Sequence, residues 1–177
     1  MTPYAQTDLR NRMDNFFMKK ALEEASRALE QNEFPVGCVI VSGNEIIARG
    51  NRKKSSSQTP SEIDHAEINA IRNLEKNFPA ADKSKMTVYS TMEPCLMCFS
   101  AITLSGFKKI VYAYEDVMGG ACSINMTMLP EFYQKRLPLI TPGVLREESL
   151  FLFKKFFSSP ENIYWKDSPL SRYTLSL

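Results

Sequence analysis

His65 is the single histidine of a 177-residue chain, and it stands in Asp64-His65-Ala66-Glu67, with a carboxylate two positions beyond the imidazole. Downstream comes Pro94-Cys95-Leu96-Met97-Cys98. One imidazole, two thiols and one acid are the groups that a metal-activated hydrolysis requires. A structural zinc is closed by four protein ligands, whereas a catalytic zinc keeps three and leaves the fourth position to water. His65, Cys95 and Cys98 supply three, and zinc so held brings the pKa of its water toward about 7. Glu67 is then the acid–base group, taking the water proton and returning it to the leaving group. Two other readings use the same cysteines: a Cys-x-x-Cys redox pair, or a closed structural zinc with Cys38 or Cys122 as fourth ligand. Neither gives Glu67 a task. Outside those schemes Cys38 and Cys122 read as small buried hydrophobes.

Spacing restricts how these groups are held. Residues two apart on a helix point about 200° from each other, so His65 and Glu67 address one metal only around a helix N-terminus. Pro94 also fits a helix start, where its missing N–H goes unneeded. Two helix N-termini meeting at the metal favour thiolates through their partial positive charge.

The flanking sequence supplies such elements. Phe17, Met18, Ala21, Leu22, Ala25, Ala28 and Leu29 recur at helical steps, which predicts a first helix over Asp14 to Gln31 with Asp14 or Asn15 as N-cap. Val36 to Val41, the turn Ser42-Gly43-Asn44 and Glu45 to Ala48 read as a hairpin. The polar run Arg52 to Ser61 reads as a solvated surface loop. A second helix is expected from Glu62 or Asp64 to Asn77, with Ile63, Ala66, Ala70, Ile71, Leu74 and Phe78 on its apolar face. Met86 to Thr91 is a third strand running into a helix over Cys95 to Leu104, ended by Gly106. Lys109 to Tyr114 is a fourth strand, and Leu137 to Thr141 a fifth. The long connection between them, with a short helix near Pro130 to Lys135, suits a parallel crossover. Val144 to Phe157 is a last helix whose phenylalanines read as core or subunit interface, followed by an aromatic, proline-containing tail over 158–177.

Composition narrows the class. With 44% apolar and 24% charged residues the chain reads as an ordinary soluble domain, a single one over 1–177 with 158–177 as its tail. No apolar run reaches a membrane-spanning length, and Met1 to Asn15 lacks a signal-peptide core. The expectation is a cytoplasmic protein with reduced thiols and no membrane partner. A net charge of +2 does not announce nucleic-acid binding, although a local basic patch stays open.

His-x-Glu followed by Pro-Cys-x-x-Cys is the pattern of zinc deaminases acting on nucleobases, and the chain resembles the cytidine and deoxycytidylate deaminase superfamily, most closely its tRNA adenosine deaminase branch. The resemblance runs from about Phe16 to Phe157; Phe34 to Val41 looks like the family's first strand, and Gly50-Asn51 matches the glycine and asparagine before its histidine helix. It implies a three-layer α/β/α sandwich around a five-stranded mixed sheet. It also implies one zinc per chain on His65, Cys95 and Cys98, Glu67 as proton shuttle, Asn51 against the substrate base or sugar, and backbone near Ala66 and Cys95 lining the pocket. Without the resemblance, Asn51 reads equally as a turn residue. The implied reaction hydrolyses an exocyclic C–N bond of a nucleobase and releases ammonia, with adenosine in tRNA as substrate and a homodimer as assembly. Two alternatives stand: a free base, nucleoside or nucleotide of guanine, cytosine, cytidine or CMP type, and a catalytically silent RNA-binding or partner subunit with structural zinc. The chain departs from the branch at Glu62-Ile63-Asp64, where Pro-Thr-Ala is usual, and in a tail carrying Tyr164 and Trp165 that is reminiscent of bacterial guanine deaminases.

Overall fold

The computed structural model describes residues 3–56 and 59–177. Its elements are α1 (Pro3–Glu30), β1 (Gly37–Ser42), β2 (Glu45–Asn51), α2 (Ala66–Asn77), β3 (Met86–Met92), α3 (Leu96–Ser105), β4 (Lys109–Tyr114), α4 (Glu131–Gln134), β5 (Leu139–Thr141), α5 (Arg146–Phe157) and α6 (Pro169–Ser176). One five-stranded sheet runs in the order β2-β1-β3-β4-β5. β1 is antiparallel to β2 and β3, while β3, β4 and β5 are parallel, so the crossover expected between the last two strands is present.

The nearly unbroken apolar run of β1 is that of a strand covered on both faces. Val39 and Val41 pack with Phe17, Met18 and Ala21 of α1, together with Tyr89, Val111 and Ala113. Cys38 and Ile40 face the other way, into a larger cluster with Ala66, Ala70 and Leu74 of α2 and with Phe99 and Ile102 of α3. The alternation follows from the two-residue period of a strand, and it puts helices on both faces of the sheet, as the sandwich requires. Phe153 and Phe156 of α5 join the larger cluster around Phe34, whereas Phe151 is exposed.

Three expectations are corrected. α1 starts at Pro3 and not at Asp14, because proline fits a first helical turn and nothing from Tyr4 to Met13 breaks a helix. Asp14 is no cap: buried mid-helix, it accepts from Tyr89 Oη at 2.7 Å and Lys109 Nζ at 2.8 Å, tying α1 to β3 and β4. α2 starts at Ala66, so Glu62 to Asp64 precede it, and Ile63 and Phe78 are exposed instead of lying on its buried face. Third, the segment 158–177 carries a helix, α6. Ser168 caps it by accepting from Ser171 N, and Pro169 occupies its first turn, a pair that is itself a helix-start signal. Tyr114 Oη lies 2.9 Å from Thr174 Oγ1, and Tyr173 Oη donates to Glu115 Oε1 at 2.7 Å; these bonds fasten α6 to the end of β4. Among the described residues no helix is long and apolar enough to cross a membrane.

Candidate active site

The parallel strands β3 and β4 end on the same side of the sheet, and in open α/β sheets ligands gather outside such carboxyl ends. β3 leads through Glu93-Pro94 into α3, and the N-terminus of α2 arrives beside it. His65 is the N-cap of α2 and Cys95 the N-cap of α3, and neither side chain makes a capping hydrogen bond. An N-cap is usually Ser, Thr, Asp or Asn, whose side chain closes the helix end. Here the two positions hold groups turned toward each other instead. Both sulfurs face His65 Nδ1, Cys95 Sγ at 3.5 Å and Cys98 Sγ at 3.4 Å, and the three donor atoms lie within 4.8 Å of one another. For bond lengths of about 2.3 Å to sulfur and 2.0–2.1 Å to nitrogen, a tetrahedral zinc separates N and S donors by about 3.6 Å. The donor set and its spacing therefore fit zinc.

Gly50 of β2 makes this approach of α2 feasible. A Cβ there would sit 2.2 Å from the carbonyl oxygen of Ala66 and 2.5 Å from the nitrogen of Ala70. Asn69 Nδ2 donates to both Asn51 O (3.0 Å) and Asp64 O (3.1 Å), stitching the end of β2 to the start of α2.

Glu67 is buried on the first turn of α2. It accepts from Ser90 Oγ of β3 at 2.8 Å through Oε1, and Cys98 Sγ donates to its Oε2 at 3.4 Å. Burial pushes its carboxyl pKa up, the direction that suits a group which both takes and gives a proton. The cysteine pair is split. Hydrogen bonding with Cys98 and then His65 holds the Cys95 thiol down, while the bond to Cys95, with burial, pushes Cys98 up. Burial acts to lower the His65 imidazole, but the Cys95 hydrogen bond and the Glu67 charge outweigh it and the net direction is up.

A cleft of about 120 Å³ opens over these groups, lined by His65, Ala66, Glu67 and Cys95. One wall comes from the loop after β4. The Glu93 carboxylate accepts from Asp116 N (3.2 Å) and Cys122 N (2.9 Å), and Asp116 Oδ1 accepts from Met118 N and Gly119 N, both at 3.0 Å. Gly120 sits so tightly on Glu93 that a Cβ would lie 2.5 Å from its carboxylate. Opposite stand Phe34, Val36, Arg52 and Glu62, with Tyr164, Trp165 and Leu170 from the tail.

Of the residues predicted from sequence, His65, Glu67, Cys95 and Cys98 converge and Ala66 lines the cleft. Asn51 is half-buried at the end of β2 and is not among the lining residues. Arg52, expected on a solvated loop, is instead buried at 2% exposure and lines the cleft. Its enclosure depends on Glu62 and on Tyr164, which is 112 residues away in sequence; the local Arg-Lys-Lys pattern carries no sign of that. Cys38 is buried in the core and Cys122 is half-buried, and burial pushes both thiols up; neither belongs to the donor cluster.

A mixed sheet between helices, with a His/Cys/Cys donor set at two helix N-termini and a buried glutamate beside it, is the architecture of a zinc-dependent hydrolase. Residues 11–114 match the family described as the cytidine and deoxycytidylate deaminase zinc-binding region, and the chain belongs to that family. It is 35% identical over 144 residues to the tRNA-specific adenosine deaminase of Bacillus subtilis (strain 168), covering 81% of this chain and 88% of that protein. It is 36% identical over 147 residues to the same-named protein of Streptococcus pyogenes serotype M18 (strain MGAS8232), covering 80% and 88%. A solved structure from a study of A-to-I editing by tRNA:A34 deaminases at the transfer RNA wobble position superposes with a TM-score of 0.69 at 29% identity, covering 77% of this chain and 98% of that one.

Proposed function

We propose that the protein is a hydrolytic nucleobase deaminase, acting on cyclic amidine C–N bonds and converting adenosine to inosine in tRNA; the name of its relatives, tRNA-specific adenosine deaminase, supports this reading. The convergence of Glu67 with His65, Cys95 and Cys98 at the floor of the cleft carries this reading. Zinc held by His65, Cys95 and Cys98 would supply the Lewis acidity that lets water ionise near neutral pH. The cleft walls hold the base beside Glu67 and exclude bulk water. Glu67 accepts one proton from the attacking water and delivers it to the adjacent ring nitrogen. It then carries the second proton to the exocyclic nitrogen as the C–N bond breaks, so water and amine leave as a carbonyl and ammonia. Ser90 fixes the Glu67 carboxylate for that exchange. A silent RNA-binding role leaves the buried Glu67 without purpose. The reading includes a cytoplasmic homodimer, by family resemblance.

Two observations favour a second substrate reading. Tyr164, Trp165 and Leu170 wall the cleft, and its volume is below the roughly 300–1,000 Å³ of pockets for drug-sized ligands; both suit a free base or nucleoside. Ammonia release from zinc-loaded protein given tRNA, adenosine, guanine, cytosine, cytidine and CMP separates the two. A tRNA substrate also predicts a mobility shift that weakens as salt rises. No release from any of them refutes the deaminase reading.

A further inference from the structure

Arg52 is the unusual member of the cleft wall. Its Nη2 donates to Glu62 Oε2 at 3.3 Å and to Tyr164 Oη at 3.2 Å, and Tyr164 Oη in turn donates to Glu62 Oε2 at 2.9 Å. The three polar atoms form a closed triangle, and the Arg52 backbone N–H is spent on Val36 O at 2.9 Å. The guanidinium is held from one side only. Nη1 is buried and has no hydrogen-bond partner. Leaving a buried donor of a charged group unpaired is costly, and such atoms in folded proteins call for a specific explanation. The residue that carries this one lines the same cleft as Glu67.

We propose that Arg52 is a substrate-reading residue, whose Nη1–H donates to an in-plane lone pair of an uncharged nucleobase, a ring nitrogen or a carbonyl oxygen. The inference rests on the deaminase reading and adds the chemistry of the edge turned away from the reacting amine. Charge selects the partner. Glu62 already answers the guanidinium, which leaves Arg52 little charge to offer a phosphate, and Glu67, Glu93 and Asp116 also line the cleft. A neutral acceptor meets no such opposition. Glu62, from the stretch before α2, and Tyr164, from the tail, are the pair that orients Arg52. A base that offers a C–H at this edge leaves Nη1 unpaired in a closed site and is rejected, since sites built to hydrogen-bond a substrate discriminate strongly against analogues that cannot.

The test uses full-length, zinc-loaded protein with adenosine, guanine and cytidine as probes, and with analogues of each lacking one ring-nitrogen or carbonyl lone pair at a time. Wild type should disfavour one analogue of its substrate by roughly 10- to 100-fold in kcat/KM. In Arg52→Met that discrimination should vanish and KM for the parent should rise by about the same factor, with kcat changed far less and zinc content kept. Should Arg52→Met not fold, Arg52→Lys retains the Glu62 pair but lacks the second nitrogen, and it should lose the same discrimination. Wild-type KM and unchanged discrimination in either folded variant overturn the proposal while leaving the deaminase reading intact. If zinc-loaded wild type deaminates none of the probes, nor tRNA, the deaminase reading fails first and this proposal falls with it.

Discussion

Replacing Gly50 by alanine tests whether the position of α2, and not merely the presence of His65 and Glu67, makes the site. The added methyl carbon would lie 2.2 Å from Ala66 O, 2.5 Å from Ala70 N and 3.1 Å from Ala70 Cα. All three are backbone atoms, so no side-chain rotation relieves the overlap. Ordinary contact requires 3.5 Å or so, and the first turns of α2 must retreat by about 1 Å. His65 and Glu67 flank Ala66 and move with it, while Cys95 and Cys98 stay on α3. Overpacking of this kind costs about 1–3 kcal/mol, which for a chain of this length lowers the melting temperature by roughly 2–12 °C. A 1 Å misplacement of reacting groups is on the order of 10²-fold in rate. The assay is a thermal melt, metal analysis and ammonia release on the same preparation. Expected are a lower midpoint, substoichiometric or weakly held zinc, and a rate reduced by about two orders of magnitude. An alanine variant that melts within about 1 °C of wild type, holds one zinc and turns over normally would refute the claim that close packing of β2 on α2 sets the ligand geometry.

Other outcomes follow from the same structure. Glu67→Gln keeps the shape of the site and should retain zinc while losing roughly 10²–10⁴-fold in deamination, read as single-turnover ammonia release; normal turnover would remove Glu67 as the shuttle. Removing zinc with a chelator should lower the melting temperature and abolish activity, and added zinc should restore both. Gly120→Ala should disturb the loop over Glu93 and alter KM for every substrate tested, because the methyl would collide with the carboxylate that organises that wall. Glu115 supplies a pH test. Burial acts to raise its carboxyl pKa, but hydrogen bonds from Arg146 and Tyr173 outweigh this and hold it down to about 2. A depressed carboxylate stabilises the fold fully above its unfolded value near 4.5, and the contribution is lost as pH falls from there toward 2. The difference in melting temperature between wild type and Glu115→Gln should thus be full at pH 6 and shrink through that window; a difference independent of pH would refute it.

How far the sequence could be read depended on how local the signals were. The His/Cys/Cys donor cluster, the glutamate beside it and the five strands were legible because each rests on a short pattern: a His-x-Glu, a Pro-Cys-x-x-Cys, a continuous apolar run. Even the parallel pairing of β4 and β5 followed from the length of their connection. Asp14 was misread because a polar residue before an apolar stripe looks like a cap, and only Tyr89 and Lys109, far along the chain, reveal it as a buried acceptor. Arg52 was hidden for the same reason, its burial being made by Tyr164. For α6 the signal was local, Ser168-Pro169, but the aromatic character of the surrounding tail obscured it.

The two caps that do not cap have a dynamic consequence. His65 and Cys95 leave the first turns of α2 and α3 without the side-chain bonds that normally stop a helix end from fraying. A zinc ion held by both would pin the two turns from a single point and so couple the opening of Ala66 to Asn69 with that of Leu96 to Phe99. Loss of the metal would then loosen the floor of the cleft on both helices at once, and metal supply would bear on the lifetime of the folded site as well as on its chemistry.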